Sequence, residues 1–146
     1  MSLNVLRQSV STQLAQGSRR SFASTALRAK HYPNADQKVY NDMSGESFKD
    51  RIVLVDFYAD WCRPCHMLSP VLEKSTAEGQ LSGTSKLPLD LVQFDTDSEF
   101  GMQLGQQFSI RSLPTVMAFR NGKPIPGAQF VGALNEAGVS NFIKQL

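Results

Sequence analysis

The chain has 146 residues, a length at which one domain is the usual expectation and a core forms without disulfides or metal ions. Its two cysteines are too few for a disulfide framework or a closed zinc site, and no apolar run is long enough to span a bilayer. Residues 1–30 hold five basic and no acidic residues, whereas residues 31–146 hold ten basic against thirteen acidic residues. The body therefore lacks the basic excess that indicates nucleic-acid binding.

The N-terminal segment has the composition of an organelle transit peptide. It is rich in Ser and Arg, lacks acidic residues and interleaves apolar with polar residues. The run 20–24, Arg-Ser-Phe-Ala-Ser, is similar to a mitochondrial processing site with cleavage after Phe22. We interpret residues 1–37 as a mitochondrial transit peptide and disordered linker, begin the folded domain at residue 38, and expect the protein in the mitochondrial matrix. Plastid import and a basic tail without function are the alternatives.

The first half of the body shows strand and helix patterns in turn. Lys38–Asn41 is predicted as a short edge strand, and Ser44–Ser47 as the start of a helix. Ile52–Tyr58 is almost continuously apolar, which is typical of a strand covered on both faces. The next helix is predicted from about Pro64 to Ala77, with proline in its first turn and Pro70 kinking its interior.

The second half continues the alternation and ends in a hairpin and a helix. The predicted elements are a loop over 78–88, a strand over Leu89–Asp95, a helix over Glu99–Phe108, strands over Thr115–Phe119 and Ile125–Val131 joined by the turn Asn121-Gly122, and a helix capped by Asn135. Alternating strands and helices imply parallel strand pairs with right-handed crossovers, and the hairpin adds an antiparallel end. The expected fold is α/β, a central mixed sheet with helices on both faces.

The run Trp61–Cys65, Trp-Cys-Arg-Pro-Cys, contains both cysteines and the single tryptophan. Cys62 falls between a buried strand and a helix, where free backbone N–H groups and the helix dipole favour a thiolate. Cys65, one turn further on, is close enough to attack a mixed disulfide formed at Cys62. We expect Cys62 to be exposed and Cys65 to be shielded. Two unrelated buried thiols, or half of a metal site, are the alternatives.

Asp56 interrupts the apolar strand Ile52–Tyr58, where a charge is costly to bury. Desolvation should raise the pKa of its carboxyl group. A carboxyl group poised near neutrality beneath the cysteines can take a proton from Cys65 and return it. The alternative is an Asp on a locally solvated strand face that makes an ordinary hydrogen bond.

Four segments of the chain resemble the thioredoxin family. Val53–Cys65 is similar to its active-site segment, and Ile110–Thr115 to the segment that carries its cis-proline. Phe119–Lys123 and Val131–Leu134 are similar to its hairpin and to the turn before its last helix. The resemblance covers about residues 38–146 and implies the thioredoxin fold, a mixed five-stranded sheet with helices on both faces.

The resemblance also implies roles for single residues. Cys62 is implied as nucleophile, Cys65 as resolving thiol and Asp56 as buried proton acceptor, the two cysteines forming a redox-active disulfide. The implied substrate-binding residues are Trp61, Leu113, a cis Pro114, Gly132 and Ala133. No metal site is implied.

Two positions depart from the family pattern. Arg63, beside Pro64, stands where glycine is commonest, and a fixed positive charge next to Cys62 should stabilise the thiolate and make the couple more oxidising. The alternative is that the Arg63 side chain points into solvent and is screened. The strand near Gln93 lacks the lysine that many relatives place beside the buried Asp56, which leaves the pKa of that carboxyl group open.

The implied function is protein-disulfide reduction by dithiol–disulfide exchange through Cys62 and Cys65, in maintenance of redox homeostasis. No cofactor is expected to bind, because electrons are expected from NADPH through a flavin-dependent thioredoxin reductase. Expected clients are disulfide-containing proteins such as peroxiredoxins, and we expect a monomer that binds neither nucleic acid nor membrane. The alternatives are a disulfide oxidase or isomerase, against which the single domain speaks, and a redox-inert partner-binding module, against which the intact cysteine pair speaks.

Overall fold

The structure is a computed structural model that describes residues 28–146; the predicted processing site after Phe22 lies outside the described residues. The elements are β1 (His31–Tyr32), α1 (Gln37–Asp42), a 3-10 turn (Glu46–Phe48), β2 (Ile52–Tyr58), α2 (Arg63–Ser75), β3 (Leu89–Asp95), α3 (Glu99–Gln107), β4 (Thr115–Arg120), β5 (Lys123–Val131) and α4 (Glu136–Lys144). Among residues 28–146, no helix is long and apolar enough to cross a membrane.

The five strands form one mixed sheet in the order β1-β3-β2-β4-β5. β1, β3 and β2 run parallel, whereas β4 is antiparallel to β2 and β5 is antiparallel to β4. The alternation of strands with helices produces the parallel pairs, and the turn at Asn121-Gly122 produces the antiparallel end. The expected mixed five-stranded sheet is therefore confirmed.

Alternate residues of β2 enter two separate apolar cores, one on each face of the sheet. Val53 and Phe57 pack with Leu104 of α3, in the core to which side chains of α1 also contribute. Ile52 and Leu54 pack in the other core, beneath buried side chains of α2 and α4. Because successive side chains of a strand point to opposite faces, this second face also carries Asp56. The period of the strand thus places the one acidic residue of β2 under the helix that begins at the cysteines.

The N-terminal edge differs from the prediction. The expected strand Lys38–Asn41 is wrong, because these residues lie in α1, whose N-cap Asp36 accepts a hydrogen bond from the backbone N–H of Val39 at 3.0 Å. Val39 suits a strand by propensity, but the cap selects the helix and lets Val39 pack against the core. The edge strand is instead His31–Tyr32, which pairs with β3.

A buried ion pair fastens the residues before β1 to the sheet. The Arg51 guanidinium donates to both carboxylate oxygens of Asp90, from Nε at 2.5 Å and from Nη2 at 2.6 Å. Asp90 also accepts from the backbone N–H of Lys30 at 2.8 Å, and Arg51 donates to the carbonyl of Arg28 at 2.8 Å. Residues 28–37, which the sequence analysis placed in the linker, therefore contribute to the folded body.

The segment 78–88 is a loop, as predicted, apart from one isolated bridge between Leu81 and Pro88. It packs against the end of α4: the backbone N–H of Gly83 donates to the carbonyl of Ile143 at 3.0 Å. A Cβ added at Gly83 would lie 2.3 Å from the carbonyl oxygen of Lys144. Glycine is thus required at position 83 for the loop to approach the helix this closely.

Candidate active site

The two cysteines lie where β2 leads into α2. Cys62 is the N-cap of α2, and its sulfur accepts a hydrogen bond from the backbone N–H of Cys65 at 3.3 Å. A disulfide joins Cys62 to Cys65, whose Cα atoms are 5.3 Å apart. Pro64 lies in the first turn, where a helix tolerates proline because the N–H groups there have no partner within the helix. The cap places the sulfur of Cys62 against the free N–H groups and the positive end of the helix dipole.

The two sulfurs differ less in exposure than the sequence suggested. Cys62 is 4% exposed and Cys65 is 1% exposed, so the expectation of an exposed Cys62 is wrong. The two cysteines form one buried cluster with Ala59, and Tyr58 and Leu113 pack against that cluster. The difference between the cysteines lies in access: Cys62 contributes to the wall of a surface groove, and Cys65 does not.

That groove has a volume of about 760 Å³. One wall is the motif 61–64, and the opposite wall consists of α3 and the segment before Pro114. Residues of the second wall that the sequence did not identify as binding residues are Met102, Gln106 and Ile110, the last of which begins the predicted cis-proline segment. Met102 is apolar but exposed, and no motif of the sequence singled it out. The groove gives an approaching segment of another chain access to Cys62.

Trp61 is held at the rim of the groove rather than in the core. Its side chain is 72% exposed, and its indole Nε1–H donates to Oδ2 of Asp97 at 2.8 Å. Asp97 lies in the loop between β3 and α3, 36 positions along the chain, and nothing in the sequence singled it out. This hydrogen bond fixes the orientation of a large apolar surface beside Cys62.

The predicted binding residues are brought together in part. Leu113 packs against the cysteines, and the peptide bond between Leu113 and Pro114 is cis, as predicted. The backbone N–H of Gly132 donates to the carbonyl of Pro114 at 2.8 Å, which joins the turn before α4 to the cis-proline segment. Gly132 has a φ of +93°, which favours glycine. Ala133 is exposed, and no described contact ties it to the other four.

Asp56 is fully buried, so the alternative of a locally solvated carboxyl group is wrong. Burial raises its pKa from 3.8 to about 6, against a smaller lowering effect of a hydrogen bond from Gln93. Gln93 Nε2 donates to Oδ2 of Asp56 at 2.9 Å, whereas Oδ1 has no hydrogen-bond partner among residues 28–146. The carboxyl group thus keeps one oxygen free to accept a proton.

The amide of Gln93 connects Asp56 to two further elements. Its Nε2 also donates to Oγ of Ser69 on α2 at 3.3 Å, and its Oε1 lies 2.8 Å from Nε2 of His31 on β1. The Ser69 hydroxyl donates in turn to the backbone carbonyl of Cys65 at 3.2 Å. Sequence reasoning missed both neighbours of Gln93, and His31 fell in the segment placed outside the domain.

Arg63 is exposed at the first position of α2 and lines the groove. It makes no ion pair with any residue that the structure describes. Among these same residues, no three His, Cys, Asp or Glu side chains are placed to hold a metal ion.

Comparisons with known proteins agree with this geometry. The sequence model of the family Thioredoxin matches residues 35–145. The chain is 30% identical to the mitochondrial thioredoxin of Rattus norvegicus, over 82% of this chain and 69% of that protein. It is 29% identical to the chloroplastic M-type thioredoxin of Chlamydomonas reinhardtii, over 97% and 96% of the two chains. The crystal structure of the thioredoxin of Malassezia sympodialis matches with a TM-score of 0.57 at 28% identity, over 81% of this chain and 90% of that one.

Proposed function

Since this chain belongs to the thioredoxin family, we propose that Cys62 attacks, Cys65 resolves and Asp56 accepts a proton when it reduces a protein disulfide. The protein is a protein-disulfide oxidoreductase that acts by dithiol–disulfide exchange through its cysteine pair. One observation carries the assignment of Cys62: its sulfur caps α2 and accepts the N–H of Cys65.

The reaction runs in two exchanges. In the reduced protein the Cys62 thiolate attacks one sulfur of the client disulfide, so that a mixed disulfide forms and the other client sulfur leaves as a thiolate. Cys65 then attacks Cys62, the mixed disulfide breaks, and the second client sulfur leaves. Two electrons pass to the client, and the Cys62–Cys65 disulfide is the oxidised product.

The cap at Cys62 explains the order of attack. A negative sulfur at the N-terminus of a helix is stabilised by the helix dipole and by N–H donors, and Cys65, inside the first turn, lacks that position. Cys62 also lines the groove, whereas Cys65 is shielded. A client disulfide therefore reaches Cys62 first.

Asp56 supplies the proton acceptor for the second exchange. Cys65 must lose its proton before it attacks, and the carboxyl group lies on the sheet face that α2 covers, with one oxygen free. Burial raises the pKa of Asp56 to about 6, which suits a base near neutral pH.

Trp61 and Leu113 form the apolar contact for a client segment on the two sides of Cys62. Gly132, joined to the backbone of Pro114, extends this contact on the side of the turn before α4, and the exposed Ala133 follows it in that turn. Arg63 and Pro64 tune the motif: the charge of Arg63 stabilises the thiolate form and makes the couple more oxidising.

Membership of the family implies disulfide-containing substrates and a thioredoxin reductase as the kinds of partner. We infer that electrons come from NADPH through a flavin-dependent reductase, that the chain itself binds no cofactor and acts as a monomer, and that peroxiredoxins are among its clients. Similarity to mitochondrial and chloroplastic thioredoxins supports an organelle-targeted protein. The arginine-rich, acid-free N-terminal segment supports the mitochondrial matrix as its destination.

Insulin reduction in the presence of NADPH and a thioredoxin reductase tests the activity. Wild type should turn over, and the Cys62→Ser and Cys65→Ser variants should not. If wild type shows no turnover while both variants still bind partner proteins, the chain is a binding module. Sequencing the N-terminus of the protein recovered from mitochondria tests the proposed processing after Phe22.

A further inference from the structure

The side-chain amide of Gln93 bridges three elements beneath the cysteines. Asp56 lies opposite Gln93 in the register of β2 and β3, Ser69 lies above it on α2, and His31 lies beside it on β1. Gln93 and Asp56 are buried, whereas His31 is exposed. The amide thus links a residue at the edge of the sheet to the buried carboxyl group.

The hydrogen bonds fix which end of the amide faces Asp56. The Ser69 hydroxyl spends its single proton on the carbonyl of Cys65, so its oxygen faces Gln93 as an acceptor and requires the NH₂ end. The Oε1 end, which only accepts, therefore faces His31, and the proton of the His31 ring must be on Nε2. His31 and Ser69 hold the amide from opposite ends.

We propose that His31 is a positioning residue of the active site: its Nε2–H holds Gln93 so that the amide donates to Asp56 and keeps this carboxyl group an acceptor. The inference rests on the proposed role of Asp56 as the base for Cys65. Without the donor at position 31, Ser69 is the one remaining partner that opposes a flip, and a turn of its hydroxyl towards Gln93 lets the amide present its oxygen to Asp56. A carboxylate is repelled by that oxygen, whereas a protonated carboxyl group donates to it.

Loss of the His31 donor therefore shifts Asp56 towards its protonated form, in which it cannot accept the proton of Cys65. Two ionisable groups near this chain of bonds are Cys65 on α2 and Tyr58 on β2; burial, and to a smaller extent the charges of Asp95, Asp60 and Asp56, raises the pKa of Tyr58. Neither lies between His31 and Gln93, so a change at His31 reaches Asp56 through the amide.

The test is a single-turnover pH profile of the prereduced protein with a peptide disulfide, followed by the fluorescence of Trp61, the one tryptophan of the chain. Wild type should show a rate step with a midpoint near the pKa of about 6 of Asp56. In His31→Ala the midpoint should rise by about one pH unit, which slows the reaction about fivefold near pH 6 and leaves it unchanged above about pH 8.

His31→Gln is the matched variant, because it places an amide N–H donor at a similar distance from Cα but does not titrate. It should restore the wild-type profile. If His31 acted through its own protonation, Gln could not replace it, because the Gln side chain has no ionisable group. The inference is overturned if His31→Ala keeps the wild-type midpoint, or if His31→Gln shifts as far as His31→Ala. Asp56→Asn should abolish the rate step. If this variant keeps the step, the proposed role of Asp56 as the base fails as well. If Asp56→Asn loses the step but His31→Ala has the wild-type profile, only the positioning role of His31 is overturned.

Discussion

Replacing Asp56 by Asn should change the pH dependence of stability in a direction that the burial of this carboxyl group determines. The pKa of Asp56 is raised from 3.8 to about 6 in the folded protein. Below about pH 3.8 both states hold the proton, and the group has no effect on stability. As the pH rises to about 6, the unfolded chain has released a proton that the folded protein retains, and stability is lost.

The size of this loss follows from the two pKa values. At about 1.4 kcal/mol per pH unit, the ionised carboxyl group destabilises the fold by about 3 kcal/mol at neutral pH, and about 2.5 kcal/mol of that develops between about pH 4 and pH 8. Asn cannot ionise, so the variant lacks this loss. Its unpaired amide N–H lowers the free energy of unfolding by about 1–3 kcal/mol, and by the same amount at pH 4 and at pH 8. The variant and wild type therefore differ in free energy of unfolding by an amount that changes with pH only through the ionisation of Asp56.

Urea unfolding of the oxidised proteins at both pH values measures this quantity. The free energy of unfolding of Asp56→Asn, relative to wild type, should rise by about 2.5 kcal/mol from pH 4 to pH 8. Val55→Ala is the control: it truncates a buried neighbour on β2 and should cost roughly 2 kcal/mol at both pH values. If the free energy of unfolding of Asp56→Asn relative to wild type stays constant or falls with rising pH, the claim that ionisation of Asp56 destabilises the folded protein is refuted.

Three further outcomes are expected. In equilibrium with glutathione, Arg63→Gly should have a more negative reduction potential than wild type, by up to about 30 mV, which corresponds to a tenfold change in the equilibrium constant; equal potentials would end that idea. Arg51→Leu leaves the buried Asp90 carboxylate without its cation and should lower the free energy of unfolding in urea by about 3–5 kcal/mol; a loss below about 1 kcal/mol would contradict the pairing. Gly101→Ala puts a Cβ 1.9 Å from the backbone carbonyl oxygen of Asp95 and should lower the melting temperature. Gly105→Ala, in the same helix, meets open space and should raise the free energy of unfolding by up to about 1 kcal/mol; equal effects of the two variants would contradict the packing of α3.

The sequence predicted the central elements because their signals are local. Ile52–Tyr58 and Leu89–Asp95 are confirmed to the residue: each is a seven-residue segment rich in apolar side chains, too short for a typical helix. The N-terminal edge failed for a different reason. A two-residue strand such as β1 has no pattern of its own and forms through its pairing with β3, and Lys38–Asn41 follows the cap at Asp36 rather than strand propensity.

The features of the site also fall into those that a local motif predicts and those that depend on contacts between distant residues. The motif around Cys62 and the cis bond before Pro114 were predicted, because the motifs are contiguous in the chain. The bond from Trp61 to Asp97 and the bond from His31 to Gln93 join residues 36 and 62 positions apart, and no local pattern encodes them. The exposure of Cys62 was overestimated, because the sequence does not reveal that Leu113 covers the disulfide.

The most direct test of the proposed order of attack is a trapping experiment with single-cysteine variants and a peptide disulfide, read by intact mass. Cys65→Ser should form a stable mixed disulfide on Cys62, because the capped sulfur attacks and no second thiol releases the peptide. Cys62→Ser should form its adduct on Cys65 at least tenfold more slowly, as expected for a shielded thiol without the cap. Equal rates for the two variants, or faster trapping on Cys65, would contradict the assignment of Cys62 as the nucleophile.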